Sequence, residues 1–168
     1  MIRYLSVAFI AAFVLGVTPA AAADTVYVVR HLQKAGGDNP PLTAEGAAGA
    51  QRIAEMLAAK GVTAVFATAT RRAEQTAAPL AERLGIGVTH YDPKSPGRLA
   101  AELAFVKGAA LVVGHSNTVP DLVAAFGGLR PAPLTEQDYG TIYVVRAGSS
   151  EVEEMKLGPA VDASRTAN

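Results

Sequence analysis

The sequence predicts an α/β domain built on a mainly parallel sheet. Two runs of β-branched or apolar residues, Tyr27-Val28-Val29-Arg30-His31 and Leu111-Val112-Val113-Gly114-His115, each end on a histidine. Buried parallel strands read as continuous apolar runs, and in open α/β sheets the chemistry sits at the strands' carboxyl ends. Strand-like and helix-like patterns alternate along the chain, as parallel sheets with crossover helices require. Glycines at Gly61, Gly85 and Gly127-Gly128 stand where helices should stop.

Each element follows from local pattern. Thr25–Arg30 reads as the first strand, and His31–Pro41 as a loop rich in Gly, Asn and Pro. Thr43 caps a helix reaching about Lys60, with Ala47, Ala50, Ile53, Ala54 and Leu57 on its apolar face. Ala64–Ala67 is a short strand, Arg71–Leu84 a helix, and Val88–Tyr91 an edge strand. Pro96–Lys107 reads as a third helix and Ala110–Gly114 as a central strand. A helix with Pro120 in its first turn runs to Phe126, and Leu129–Asp138 is a Pro-containing loop. Thr141–Val145 and Val152–Leu157 form a terminal hairpin, and Gly158–Asn168 is a polar tail.

The chain has 168 residues, half of them apolar, enough for one core. Basic and acidic residues balance at 15 each and there is no basic run, which gives no sign of a polyanion-binding surface, so no nucleic-acid partner is expected. There is no cysteine. That excludes a disulfide framework, a thiolate nucleophile, a Cys-based zinc site and a lipoprotein cysteine. Residues 1–23 read as a cleaved signal peptide, and 24–168 as the domain. Arg3 gives a positive start, Leu5–Val17 an apolar stretch, and Ala21 and Ala23 an Ala-x-Ala cleavage site. The stretch is too short to span a bilayer, which needs about 20 residues. The expected compartment is a bacterial periplasm, with no membrane partner after cleavage.

Two histidines and at least two arginines at one sheet edge make a site for a phosphate dianion. Thr68-Ala69-Thr70-Arg71-Arg72 supplies a second apolar strand end feeding an arginine-led helix. No pair of histidines has metal-ligand spacing, so neither a metal nor a cofactor is expected. His90, at an edge strand, reads as structural. Arg71 lies about 100° around the helix from Arg72 and should face solvent.

In these residues the chain resembles the histidine phosphatase superfamily, the group that includes phosphoglycerate mutases and many small phosphatases. The resemblance rests on Arg30-His31, Leu42-Thr43-Ala44-Glu45-Gly46, Thr68 with Arg72-Ala73-Glu74-Gln75-Thr76, and Gly114-His115-Ser116. These occur in the family's order over roughly Val26 to Val145. The resemblance implies a phosphoglycerate mutase-like, three-layer α/β/α sandwich. It implies that His31 is the residue phosphorylated and that Arg30 is a phosphate ligand. Arg72 would clamp the equatorial oxygens and His115 donate a hydrogen bond to the phosphoryl group. Thr68, Ser116 and Asn117 would complete the substrate site, taking a phosphorylated small molecule or a phosphoprotein.

Relatives commonly have an acid two places after the nucleophile, where this chain has Gln33. An amide cannot protonate a leaving oxygen, a task that usually needs a positioned carboxyl. Asp92, Glu102 and Asp121 are the candidate donors. Without a donor, the alternatives are selectivity for activated substrates such as acyl phosphates or phosphohistidine, or a phosphate-binding protein of weakened activity. A serine hydrolase using Ser116 is a further alternative, but Thr118 occupies the glycine position its elbow needs.

Overall fold

The computed structural model describes residues 23–158 of the chain. Six strands form one sheet in the order β3-β2-β4-β1-β5-β6. They are β1 (Thr25–Arg30), β2 (Val62–Ala67), β3 (Val88–His90), β4 (Ala109–Gly114), β5 (Thr141–Arg146) and β6 (Val152–Lys156). The first four are mutually parallel, and β5 and β6 close one edge as an antiparallel hairpin. The helices are α1 (Ala44–Leu57), α2 (Arg71–Leu84), α3 (Pro96–Leu103) and α4 (Val119–Ala125).

Strand alternation divides the core into two. Tyr27, Val29, Val65, Leu111 and Val113 face α1 and α2, meeting Ile53, Leu57, Ala77 and Leu80. Their neighbours Val26, Val28, Phe66, Ala110 and Val112 face α3 and α4, meeting Leu99, Leu103, Leu122 and Val123. The result is the three-layer α/β/α sandwich with a mainly parallel sheet. The two central strands, β4 and β1, are buried along nearly their whole length, which explains their unbroken apolar runs.

The sequence places most elements within a residue or two, and the differences have causes. The third helix stops at Leu103, because the chain must turn through Gly108, at φ +90°, to enter β4. Along α1 the buried face contains Gly46 and Gly49, whereas Ala47 is exposed. That helix lies so close to the segment after β1 that a Cβ on Gly46 would overlap the Gln33 carbonyl oxygen. Periodicity cannot reveal a glycine whose use is to bring two backbones together. Thr43 caps α1 as expected, its Oγ1 accepting from Gly46 N–H at 3.1 Å.

The signal segment and the polar tail fall outside the described residues, except for their inner ends. Ala23, expected as the last residue before cleavage, is buried, and its N–H donates to Leu103 O at 3.1 Å. Among the described residues no helix is long and apolar enough to cross a membrane.

Candidate active site

His31 follows the last residue of β1, and His115 the last of β4. The two strands pair in parallel through Arg30 and Gly114. The ladder continues one step further, with His31 N–H donating to Gly114 O at 2.9 Å. This brings the imidazoles edge to face at 5.3 Å between centroids. They open onto a cleft of about 400 Å³, also lined by Arg30, Lys34, Arg72 and Glu136.

The hydrogen bonds fix both tautomers. His31 Nδ1 lies 2.8 Å from Leu32 O. A carbonyl only accepts, so Nδ1 carries the proton and Nε2 keeps the lone pair. His115 is held the opposite way. Its Nδ1 faces Arg72 Nη2 at 3.4 Å, and its Nε2 lies 2.8 Å from Thr68 Oγ1. A guanidinium only donates, so Nδ1 accepts and Nε2–H donates to the threonine. Burial pushes both histidines down to about 4, with the Arg72 and Arg30 charges adding to the effect and His115 also opposing a charge on His31. Both rings are therefore neutral at neutral pH.

Thr76 on α2 ties the arginine helix to the histidine loop. Its hydroxyl donates to Arg72 O at 2.8 Å and accepts from Leu32 N–H at 3.1 Å. Arg30 is 2% exposed and reaches the other way, toward the segment before β5. Its Nη1 donates to Thr135 O at 2.7 Å, and its Nη2 to Glu136 Oε2 and Tyr139 Oη, both at 3.2 Å. The Tyr139 ring lies against the guanidinium, 4.1 Å from Cζ to centroid. The Nε groups of Arg30 and Arg72 are buried without a partner. Buried donors are normally satisfied, and an unpaired one on each of two neighbouring guanidinium groups fits a site built for a multivalent anion. Among the described residues no group of three His, Asp or Glu side chains is arranged to hold a metal ion.

The family model of the histidine phosphatase superfamily (branch 1) matches residues 24–93, the part that supplies His31 and Arg72. No curated protein sequence matches it significantly. Among solved structures it is similar to the protein histidine phosphatase SixA complexed with tungstate. The TM-score is 0.61, with 22% identity over 79% of this chain and 96% of that one. It is also similar to a mycobacterial glucosyl-3-phosphoglycerate phosphatase complexed with inorganic phosphate. There the TM-score is 0.60, with 17% identity over 81% of this chain and 96% of that one. At these identities the likeness establishes the fold.

Within this histidine phosphatase fold, the sequence-derived candidates separate. Arg30, His31, Arg72, His115, Ser116 and Asn117 all line the cleft. Thr68 is not among the lining residues; it is 2% exposed and its hydroxyl accepts from His115 Nε2–H at 2.8 Å. None of the three candidate donors lines the cleft. Asp92 caps its own turn through Lys94 N and Ser95 Oγ, Glu102 pairs with Arg98, and Asp121 pairs with Arg130. Gln33 also turns away, donating to Glu45 Oε1 at 3.1 Å on the α1 side. Arg71 is exposed, and His90 pairs with Glu74 at 2.7 Å. Glu136, Lys34 and Lys94, all lining the cleft, were not found by sequence reasoning.

Proposed function

We propose that the chain is a phosphoric monoester hydrolase that passes the phosphoryl group through His31. The match of residues 24–93 to the histidine phosphatase superfamily, and structural neighbours that are phosphatases, support phosphatase activity in general. The observation that carries the finer reading is the 2.8 Å bond from His31 Nδ1–H to Leu32 O. It leaves the Nε2 lone pair as the nucleophile, on a ring kept neutral by burial and by two arginines.

In this reading Nε2 attacks phosphorus, the ester oxygen leaves with its electron pair, and water then cleaves the phosphorus–nitrogen bond. Arg30 and Arg72 balance charge on the equatorial oxygens, where most of the catalysis of phosphoryl transfer lies. His115 donates to the phosphoryl group from Nδ1 once that group displaces the long contact to Arg72 and the ring proton moves from Nε2, which then accepts from the Thr68 hydroxyl. Phosphomonoesters, acyl phosphates and phosphohistidine all present the same group to this clamp. The serine-hydrolase alternative loses its support, because Ser116 Oγ faces Glu136 Oε1 at 3.3 Å and has neither histidine as partner.

The test is chemical trapping. Wild-type protein mixed with labelled 4-nitrophenyl phosphate and quenched in alkali should retain acid-labile label. His31→Ala should retain none and lose turnover while keeping its circular dichroism. Label kept by the folded variant would move the nucleophile to another residue.

A further inference from the structure

We propose that Glu136 gives the proton to the leaving oxygen and takes one back from the attacking water. The inference rests on the phosphohistidine reading above and supplies the donor that reading lacks.

Among the described residues, Glu136 is the only carboxylate lining the cleft. It is held at both oxygens: Oε2 by Arg30 Nη2 at 3.2 Å, and Oε1 by the Ser116 hydroxyl at 3.3 Å. Both partners also line the cleft, so the carboxylate sits where a bound phosphoryl group and its ester oxygen would meet. The side chain is 70% exposed, which keeps it in contact with water and with the departing alcohol. The other candidate carboxylates are held elsewhere: Asp92 by Lys94 N–H and Ser95, Glu102 by Arg98, Asp121 by Arg130, and Asp138 by Thr135 N–H at 2.6 Å.

Arg30 is one of four cations in the cleft with Glu136. At rest Arg30 neutralises it, while Arg72, Lys34 and Lys94 line the same cleft. A phosphate monoester entering as the monoanion competes for Arg30 and brings the proton that passes to the Glu136 carboxylate. Two anions on one guanidinium favour sharing a proton between them, as paired carboxylates do.

The steps balance. As the His31 Nε2 lone pair forms the bond to phosphorus, the phosphorus–oxygen bond breaks and the oxygen takes the Glu136 proton, leaving as alcohol. In the second half a water oxygen attacks phosphorus. The phosphorus–nitrogen pair returns to Nε2, and the water proton goes to the Glu136 carboxylate. One water is consumed and the carboxyl is restored.

A competing role is easily stated: Glu136 could merely occupy donors meant for phosphate. Glu136→Gln separates the two, using 4-nitrophenyl phosphate and glycerol 1-phosphate as probes. An aryl leaving group needs no proton and an alkyl one does. The proposal expects kcat/KM for the alkyl ester to fall about 10²-fold or more, within the range for general acids, while the aryl value stays within about threefold. Phosphohistidine should accumulate with the aryl ester, because the second half-reaction has lost its base. Equal losses on both esters would overturn the proposal and leave Glu136 as a positioning residue for Arg30. Gains on both esters, with tighter inorganic phosphate binding, would make it an occupant of the phosphate site. Wild-type protein inactive on the alkyl ester would overturn it too. Failure of the phosphohistidine reading would show separately, as label or turnover surviving in His31→Ala.

Discussion

Two segments meet over the cleft, one after β1 and one before β5, and they are held by opposite means. The segment after β1 is fastened along its length. Leu32 is buried, Ala35 N–H donates to Pro41 O, and Thr43 N–H donates to Gln33 O. Leu42 N–H reaches Gln75 Oε1, and Arg71 N–H reaches Asn39 Oδ1, so α2 grips it from the side. In the segment before β5, Thr135, Glu136, Gln137 and Asp138 are all exposed. Its main attachment to the sheet is the Arg30 guanidinium, through Thr135 O, Glu136 and Tyr139. His31, the proposed nucleophile, is thus set by packing within the fold. Glu136 is set by the same arginine that the proposed function assigns to the phosphoryl group. Rigid placement of one partner and exchangeable placement of the other suits a reaction whose proton donor must follow different leaving groups.

The largest expected effect comes from removing the shared anchor. Arg30→Ala should lower kcat/KM by about 10²–10³, the loss typical of one preorganised donor, with every substrate. Hydrogen exchange should quicken at Asp138 and Tyr139 while Leu32 and Thr43 keep their protection. Equal loss of protection in both segments would mean that they do not differ as described.

Gly46→Ala attacks the fastened segment instead. The new Cβ overlaps the Gln33 carbonyl oxygen, so either α1 or the histidine loop must move. Overpacking of this kind costs about 1–3 kcal/mol, readable as a lower urea midpoint, and activity should fall with it. Ala47→Gly, one position along on the exposed face, should lower the midpoint only by the intrinsic helix penalty of about 1 kcal/mol, with activity unchanged.

Acidification gives the smallest effect near neutrality. His31 and His115 are held down to about 4 in the fold, against 6.5 in an unfolded chain. Between those values the unfolded chain binds more protons, so stability falls as pH drops through that window. Above it these two rings add no slope. Urea unfolding from about pH 7 to about pH 4 should follow this course, and His31→Ala should flatten part of it. Histidine resonances that titrate near the ordinary value would contradict the burial argument.

What the sequence made legible follows the same division. His31, Arg72 and His115 stand at the carboxyl ends of parallel strands or open the next helix, where pattern alone points to chemistry. Glu136 does not. It lies in a Pro-containing loop that carries no motif, and it reaches the site only because β5 runs antiparallel to β1, which puts its start beside Arg30. Reading the terminal hairpin as a neighbour of the first strand would have pointed there. Gln33 misled for a related reason: counting places from the nucleophile along an irregular loop does not say which way a side chain turns. The buried Gly46 was invisible to a search for apolar spacing.

One feature of the sheet bears on how the site comes into being. β1 is made first, yet its neighbours are β4 and β5, so Thr25 pairs with Ala109 on one side and Arg146 on the other. Closing loops of that length carries an entropic penalty before any contact is gained, and such topologies fold slowly. A nascent chain released before Ala109 can hold neither histidine in place. One stopped before Thr141 lacks the neighbour beside Arg30. His31, Arg72, His115 and Glu136 therefore come together only once β4 and β5 are both in place beside β1.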